Sequence, residues 1–409
     1  MGILLETTQE YVQSLRNLSL VEREVRLPSE PPDIVAVVGA RRVGKTVLML
    51  QRAKELLERG ERVVYVSMDE PYFRRLEARK FAELVRAEYR EGRVHLFIDE
   101  VQEWRNWDFN LRWMHDMRDF YIYVSGSSST LQSSEIPSRL RGRYVSTVVF
   151  PFSFREIAGG LSGEGFRSRG ALRGLLEEYI RWGGFPEVWL TRSREKLVSI
   201  VETVFYRDIV ERQGVRNVPE FKEVFYYVLS QYANRVTWRS LRRLLKAEGL
   251  RLDTKTLIKY VHAIQQAFLI FTVKKFSFSE RERAVSPKKI YLVDHSLATL
   301  FEQPMDLGRR LENIVYLHLL RRAGDPERIS YYTARTGEEV DLVLREPGGP
   351  TYVYQCTLHA DKRHVEKAER ACRELRCAQA TVVALEIPEQ AATSRLVRVV
   401  PLQEFLLEA

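Results

Sequence analysis

Apolar residues in the first 150 positions occur as short runs separated by longer amphipathic stretches. Short runs rich in β-branched residues are typical of buried strands, and the amphipathic stretches between them are typical of helices. The candidate strands lie at 33–40, 62–70, 93–100, 120–129 and 143–150. Because strands that alternate with helices form parallel sheets covered on both faces, the pattern predicts an α/β fold.

The pattern changes after residue 151. Residues 170–213 are typical of helices, with a turn forced by the glycines and proline of RWGGFPEV at 181–188. Three short helices follow, then two strands, FLIFTVKKFSF and KKIYLVD, joined by the polar loop SERERAVSP. Three helices and a β-ribbon predict a winged helix-turn-helix. From about residue 308 the chain returns to mixed α/β patterning, with helices expected at 309–322 and 361–376.

The composition is that of a globular protein, since 45% of the 409 residues are hydrophobic and 29% are charged. No apolar stretch approaches the roughly 18 residues of a membrane span. The start, MGILLETTQEYV, turns acidic too early for a secretory signal. Three cysteines are too few for a disulfide framework. We therefore expect a cytoplasmic protein without a membrane partner.

The net charge of +9 is concentrated in one segment. Residues 235–289 hold 14 Lys and Arg against 4 Asp and Glu, a local net charge of +10, so the rest of the chain carries −1. A surface that binds a polyanion explains this excess. A set of merely solvated helices explains it equally well, and charge alone does not separate the two interpretations.

The segment VVGARRVGKTVLML, residues 37–50, fits the phosphate-binding spacing G-x-x-x-x-G-K-[ST], or Walker A motif, between a strand and a helix. The glycines let backbone amides face the phosphates, and the start of the helix attracts the same anion. Lys45 is expected to bridge the β- and γ-phosphates, and the Thr46 hydroxyl to ligate Mg²⁺. The candidate nucleotide contacts are Gly39, Ala40, Arg41, Arg42, Val43, Gly44, Lys45, Thr46 and Val47.

The segment VHLFIDE delivers two carboxylates to the carboxyl end of a strand, as a Walker B motif does. Asp99 is expected to hold Mg²⁺, and Glu100 to orient or deprotonate the attacking water. One strand lies between the P-loop strand and this one in sequence. Together with the adjacent glutamate, this order favours a hydrolytic ATPase over a small-molecule kinase or a GTPase.

Two further catalytic candidates follow the fourth predicted strand. Among the serines that end it, Ser127 is our choice for a contact with the γ-phosphate or the water, and turn formation is the alternative role. In RLRGRY, Arg143 is a candidate for reaching a γ-phosphate, within the chain or across a subunit boundary. A plain surface position is the alternative for this arginine.

Five segments occur in the order seen in a group of archaeal and bacterial P-loop ATPases of the AAA-like and STAND-like division, which most of this chain resembles. They are GARRVGKT, LFIDEVQEWRNW, SGSSSTLQSSEIPSRLRGRY, PFSFREI and RWGGFPEV. The resemblance implies an ATPase core followed by a helical subdomain, a winged helix and a domain similar to PD-(D/E)XK nucleases. The predicted divisions are an N-terminal helical extension at 1–29, the P-loop ATPase core at 30–155, a helical lid at 156–215, the winged helix at 216–300 and a degenerate nuclease-like domain at 301–409.

The nuclease resemblance can be checked residue by residue. Such enzymes use a helical Glu, a strand Asp and then Glu-x-Lys on the next strand to hold Mg²⁺ and activate water. Glu312 and Asp341 match the first two positions, but Gln355 and Thr357 stand where Glu and Lys belong. A neutral amide is a weaker Mg²⁺ ligand than a carboxylate, and threonine has no ammonium. We therefore expect no nuclease activity and interpret the domain as a binding or scaffolding relic.

The winged-helix prediction gives the basic segment a geometry, with DTKTLIKYVHAIQQA as the recognition helix. Phosphate contacts from its surface would bind DNA with little sequence preference. The alternative is that the winged helix docks a protein partner or forms a lid over the nucleotide. The candidate DNA contacts are Arg239, Arg242, Arg243, Lys255, Lys259, Arg281 and Arg283.

The sequence thus predicts a protein that binds ATP or ADP with Mg²⁺, hydrolyses ATP and associates with DNA. A nucleotide-dependent switch that acts on a protein partner without DNA is the alternative, and an ATP-dependent nuclease is a third hypothesis. Salt-dependent binding to random duplex DNA, lost on charge reversal at Lys255 and Lys259, separates the first from the second. The subunit number is left open.

Overall fold

The computed structural model describes residues 2–126, 140–160, 169–301, 304–388 and 394–408. The chain divides into two compact units, Met1–Phe150 (unit 1) and Pro151–Ala409 (unit 2). Within the described ranges, no helix is both long and apolar enough to cross a bilayer.

Unit 1 alternates helices and strands as the pattern predicts. Its elements are α1 (Ile3–Ser14), β1 (Ile34–Val38), α2 (Lys45–Glu58), β2 (Val63–Ser67), α3 (Pro71–Arg74), α4 (Ala78–Glu88), β3 (Val94–Asp99), α5 (Trp107–Asp116), β4 (Phe120–Ser125) and β5 (Tyr144–Val148).

The five strands form one parallel sheet in the order β2-β3-β4-β1-β5. All residues of β1, β2 and β3 are buried, because helices cover both faces of a parallel sheet. Strand β4 lies between β1 and β3, and the register pairs Ser67 with Asp99 and Val37 with Ser125. The carboxyl ends of these four strands therefore meet at one edge, and the predicted α/β fold is confirmed.

The N-terminal segment is built into unit 1. On α1, Thr8 accepts a hydrogen bond from the Tyr65 amide of β2 at 3.0 Å. Farther on, the buried Arg23 guanidinium donates to the carbonyl of Val43 at 2.9 Å and to that of Phe150 at 2.5 Å. The segment before β1 is therefore part of the core around the glycine-rich loop.

Unit 2 begins with helices and continues as mixed α/β structure. Its elements are α6 (Phe154–Gly160), α7 (Arg169–Trp182), α8 (Pro186–Thr191), α9 (Arg194–Thr203) with a π-helical continuation (Val204–Glu211), α10 (Val218–Ser230), β6 (Arg235–Val236), α11 (Trp238–Ala247), α12 (Thr254–Gln266), β7 (Ile270–Lys275), α13 (Glu280–Val285), β8 (Lys288–Leu292), α14 (Leu307–Ala323), β9 (Ile329–Thr333), β10 (Glu339–Arg345), β11 (Thr351–His359), α15 (Lys362–Leu375), β12 (Gln379–Glu386), β13 (Val397–Pro401) and α16 (Leu402–Leu407).

The strands of unit 2 form one eight-stranded sheet in the order β13-β12-β11-β10-β9-β7-β8-β6. Strands β7 and β8 form the antiparallel ribbon, and β7 also pairs in parallel with β9 through Lys274–Ser330 and Lys275–Tyr331. The predicted division at residue 300 therefore falls between strands of a single sheet. Strand β13 and helix α16 were not predicted.

The turn in RWGGFPEV is required by a close approach of two backbones. A Cβ atom on Gly184 would lie 2.1 Å from the carbonyl oxygen of Phe152. The Gly184 carbonyl accepts a hydrogen bond from the Phe152 amide at 2.6 Å, and its own amide donates to buried Asp294 at 2.7 Å. Only glycine fits here.

All three cysteines lie in unit 2. Cys372, near the end of α15, forms a disulfide with Cys377 just beyond it, while Cys356 is free. Two of the three cysteines are thus paired in one short loop.

Candidate nucleotide-binding site

The glycine-rich loop joins β1 to α2 at the carboxyl edge of the sheet of unit 1. Gly39 has a φ of +147°, and a Cβ atom there would lie 2.2 Å from the Val149 carbonyl oxygen. Gly44 has a φ of +94° and is the N-cap of α2. Because Gly44 has no side chain to bond the first amides of the helix, their N–H groups face the loop.

Lys45, the first residue of α2, is almost fully buried. Its ammonium donates to the carbonyl oxygens of Gly39 and Ala40, each at 3.0 Å. These bonds hold the side chain against the loop that it would cover in a phosphate complex. The loop and the lysine are therefore arranged as one cationic cradle.

Asp99 of β3 receives hydroxyl donors from three other elements. The Thr46 hydroxyl donates to its Oδ2 at 2.8 Å and the Tyr65 hydroxyl to the same oxygen at 2.9 Å. Ser125, the last residue of β4, donates to Oδ1. These neutral donors orient the carboxylate without placing a positive charge beside it.

Glu100 follows Asp99 in a left-handed conformation, with a φ of +47°. Its amide donates to the Ser125 hydroxyl at 3.1 Å, and the Gln102 amide group donates to its carboxylate at 2.5 Å. Burial and the charge of Asp99 raise the pKa of Glu100, while Gln102, Lys45 and Arg41 act in the lowering direction. A partly buried carboxylate with a raised pKa beside the loop is suited to accept a proton.

The residues present fit a nucleoside triphosphate with Mg²⁺. The loop offers amide donors and an ammonium, which phosphate oxygens require. Thr46 and Asp99 offer hard oxygen donors that are already in contact, which Mg²⁺ prefers. The structure thus brings together Gly39, Gly44, Lys45, Thr46, Asp99 and Glu100 from the predicted set; Ala40, Arg41, Arg42, Val43 and Val47 lie in the same loop and first helical turn.

Two further catalytic candidates are Ser127 and Arg143. Ser127 lies outside the described residues. Arg143 precedes β5, opposite the start of β1, and its guanidinium donates to Asp116 at 3.1 Å. Because the P-loop follows the end of β1, Arg143 stands at the opposite edge of the sheet. Its predicted role within the same chain is therefore corrected, and the role across a subunit boundary stays a prediction.

Four residues of the site are not predicted from the sequence: Ser125, Gln102, Tyr65 and Arg23. Ser125, rather than Ser127, ends the strand that neighbours both β1 and β3. Tyr65 and Arg23 carried no signal, because an apolar run and a Pro-containing connector do not show which side chain reaches the site.

In unit 2, six of the seven predicted DNA contacts are exposed. Helices α11 and α12 carry basic side chains and no acidic ones, and Asp253 caps α12 by accepting from the Thr256 amide at 2.8 Å. On α13, Glu280 pairs with Arg283, which is half-buried, and Glu282 pairs with Lys275. The positive excess therefore lies on α11 and α12 rather than on the loop between β7 and β8. The exposed residues are Arg239, Arg242, Arg243, Lys255, Lys259 and Arg281.

The predicted nuclease positions also lie in unit 2. Glu312 is on α14, Asp341 on β10, and Gln355 and Thr357 are on β11. The Gln355 amide donates to Asp341 at 2.5 Å, and the Thr357 hydroxyl donates to the His359 carbonyl at 3.0 Å. Neither residue replaces the missing carboxylate and ammonium.

A glycine-rich loop that joins β1 to α2, in a parallel sheet whose strand β3 leads into Asp99 and Glu100, gives unit 1 an α/β fold similar to that of P-loop ATPases. Residues 31–158 match a family model described as an AAA domain. Residues 173–305 and 307–405 match two models described as domains of unknown function.

Two curated relatives match most of the chain. An uncharacterized protein of Methanocaldococcus jannaschii is 28% identical over 386 residues, which are 91% of this chain and 86% of the relative. An uncharacterized protein of Haemophilus influenzae is 26% identical over 338 residues, 78% of this chain and 82% of the relative.

Solved structures are similar at lower identity. The Walker-type ATPase of Pyrococcus abyssi has a TM-score of 0.42 and 15% identity, over 72% of this chain and 94% of that one. AMPPCP-bound DnaA from Aquifex aeolicus has a TM-score of 0.29 and 15% identity, over 65% of this chain and 89% of that one.

Proposed function

We propose that the chain binds ATP with Mg²⁺ in the P-loop of unit 1 and hydrolyses it to ADP and phosphate. The observation that carries this proposal is the Thr46–Asp99 hydrogen bond at 2.8 Å. It joins the end of the loop to a buried carboxylate, with Glu100 next in the chain. The match of residues 31–158 to an AAA domain supports the same conclusion.

Each residue of the site has a role in the proposal. The amides at the start of α2 and the Lys45 ammonium bind the β- and γ-phosphates. Thr46 and Asp99 would hold Mg²⁺, and the bound ion would neutralise negative charge on the phosphates. Glu100 accepts the proton of the attacking water. Ser125 and Gln102 hold Glu100 in position through their hydrogen bonds to its amide and its carboxylate.

We further propose that unit 2 binds DNA through α11 and α12. The order α10, β6, α11, α12, β7, β8, with β6 paired to β8, supports the winged-helix interpretation. Arg239 and Arg242 line a cavity of about 420 Å³ whose walls also include Thr254 and Lys288. A basic surface of this kind binds phosphates, so we expect little sequence preference.

The ATP proposal is tested by calorimetry and by phosphate release on the full chain. The wild type should bind ATP with magnesium and release phosphate. Lys45→Ala should lose both activities, whereas Lys54→Ala, which changes an exposed lysine on the same helix, should leave them intact. Tight nucleotide binding without turnover would reduce the proposal to a nucleotide-holding protein.

The DNA proposal is tested by fluorescence anisotropy with random duplex DNA at several salt concentrations. Lys255→Glu with Lys259→Glu should remove binding. Lys80→Glu with Lys362→Glu makes the same change in net charge at exposed positions elsewhere and should keep it. Absence of salt-dependent binding by the wild type, with ATP turnover intact, would favour the switch that acts on a protein partner.

A further inference from the structure

Three carboxylates converge inside unit 2 on one buried ammonium. Glu312 comes from α14, and Glu339 and Asp341 come from β10. The ammonium of Lys289, on β8, lies 2.6 Å from Glu339, 2.8 Å from Glu312 and 3.9 Å from Asp341. The Lys289 side chain is only 2% exposed, whereas Glu339 and Asp341 also line a cavity of about 520 Å³.

One oxygen of each carboxylate is in contact with a donor other than Lys289. The Tyr291 hydroxyl donates to Glu312 at 2.7 Å, and Arg235 pairs with Glu339 at 2.7 Å. Asp341 accepts from the Cys356 amide at 2.7 Å, in addition to its bond from Gln355. Each carboxylate is therefore held by Lys289 and by at least one further donor.

This network does not fit a divalent metal ion. Magnesium and manganese need several oxygens free to approach at about 2.0–2.2 Å. Here the Lys289 ammonium lies between the carboxylates, and Gln355 and the Cys356 amide occupy Oδ2 of Asp341. Across the described ranges, no group of three or more His, Cys, Asp and Glu side chains is arranged to hold a metal.

The charge state agrees with an internal cation. Burial alone would lower the pKa of Lys289, but the carboxylates of Glu312, Asp341 and Glu339 raise it overall. The lysine therefore stays protonated across the physiological range.

We propose that the Lys289 ammonium is the resident cation of this cluster, in the place that a divalent ion would take in a metal-dependent site. The carboxylates of unit 2 then have a structural use and carry no metal-dependent chemistry. Strands β8 and β10 are not neighbours, since β7 and β9 lie between them in the sheet. Lys289 therefore cross-links the ribbon to strand β10 and helix α14.

The test counts Mn²⁺ ions bound by the full chain, using electron paramagnetic resonance to measure free Mn²⁺. All proteins carry Asp99→Ala, which removes the metal ligand of unit 1 and makes the result independent of the proposed ATPase. The starting protein should bind no ion at the cluster. Lys289→Gln should bind one additional Mn²⁺ per chain, because its carboxylates have lost their cation. Its melting temperature should be lower and should rise when Mn²⁺ is added.

The matched control is Lys288→Gln, which changes the neighbouring, half-buried lysine and should gain no ion. If Lys289→Gln folds with an unchanged melting temperature and gains no Mn²⁺, the proposal is overturned. If that variant does not fold, Asp341→Asn decides the matter. The proposal is overturned when the starting protein binds an ion that Asp341→Asn removes, and it is supported when the two bind Mn²⁺ equally.

Discussion

Lys45 in unit 1 and Lys289 in unit 2 are both buried lysines near acidic side chains, but their ammonium groups bind different partners. Lys45 donates to backbone carbonyls of its own loop, while Asp99 is oriented by hydroxyl groups. Lys289 contacts the carboxylates themselves. In unit 1 the donors to Asp99 are neutral hydroxyl groups, so an external cation can take the place of a positive partner. In unit 2 the ammonium of Lys289 is itself the cation beside the carboxylates.

The contrast shows that the number of acidic residues does not define a metal site. The sequence pairs Asp99 with Glu100 and also places Glu339 close to Asp341. Only the first pair is held by neutral donors beside a phosphate-binding loop. The identity of the donor that reaches each carboxylate separates the two sites.

The largest expected effect comes from removing the proton acceptor of unit 1. Glu100→Gln should lower the ATP turnover rate by roughly 10²–10⁴-fold, because the amide cannot accept the proton of water. Nucleotide affinity should stay close to that of the wild type. Steady-state phosphate release and calorimetry measure the two quantities. Glu103→Gln, at an exposed position three residues on, is the control, and an equal loss in both variants would contradict the assigned role.

The next effect concerns the stability of unit 2. Lys289→Met leaves buried carboxylates without their cation and should reduce the free energy of unfolding by about 3–5 kcal/mol. Lys288→Met should cost clearly less, since Lys288 is only half-buried. Urea denaturation followed by circular dichroism measures the difference. Equal costs for the two variants would remove the contrast between the lysines.

A smaller effect should follow from loss of a neutral donor to Asp99. Tyr65→Phe removes one hydrogen bond to a buried carboxylate, worth about 1–2 kcal/mol. We expect a several-fold rise in the Mg²⁺ concentration needed for half-maximal turnover. Tyr89→Phe, which removes a 3.3 Å bond to the Val63 carbonyl, is the control. An unchanged magnesium requirement in Tyr65→Phe would show that Tyr65 does not position Asp99.

The smallest effect is a displaced acid limb in the pH profile. Glu100 must be ionised to accept a proton, and burial raises its pKa above the ordinary value of 4.5. As the pH is lowered, turnover should therefore begin to fall at a higher pH than it would if Glu100 had the ordinary glutamate pKa of 4.5. Measurement of kcat from pH 4.5 to 8 tests this. A profile that stays flat down to pH 4.5 would contradict the raised pKa.

The elements of unit 1 and the linear part of its site were predictable from the sequence. Buried parallel strands leave continuous apolar runs; Asp99 and Glu100 stand at the end of one, and Lys45 and Thr46 follow another after the glycine-rich loop. The carboxyl ends of parallel strands lie together on one side of the sheet and the amino ends on the other. Arg143 precedes β5 and therefore lies on the side of the amino ends. Applying that rule to the start of β5 would have corrected the prediction.

The remaining contacts depend on tertiary structure that no local pattern contains. Tyr65 lies 34 residues before Asp99, and Arg23 lies 20 residues before Val43. The Lys289 cluster needs three elements to meet across the eight-stranded sheet. Lys289 stood in the basic segment, where composition suggested a surface role, and it is instead buried among carboxylates.

The two-residue pairing of β7 with β9 determines where the chain can be divided. One family model ends at residue 305 and the next begins at residue 307, which would place a domain boundary between them. A fragment that stops at this junction would expose the edge of Ile270–Lys275, and an unpaired strand edge invites association between copies. We therefore expect a fragment to stay monomeric in solution only if it contains both matched segments, 173–305 and 307–405. The same pairing would require evolution to transfer the two segments together.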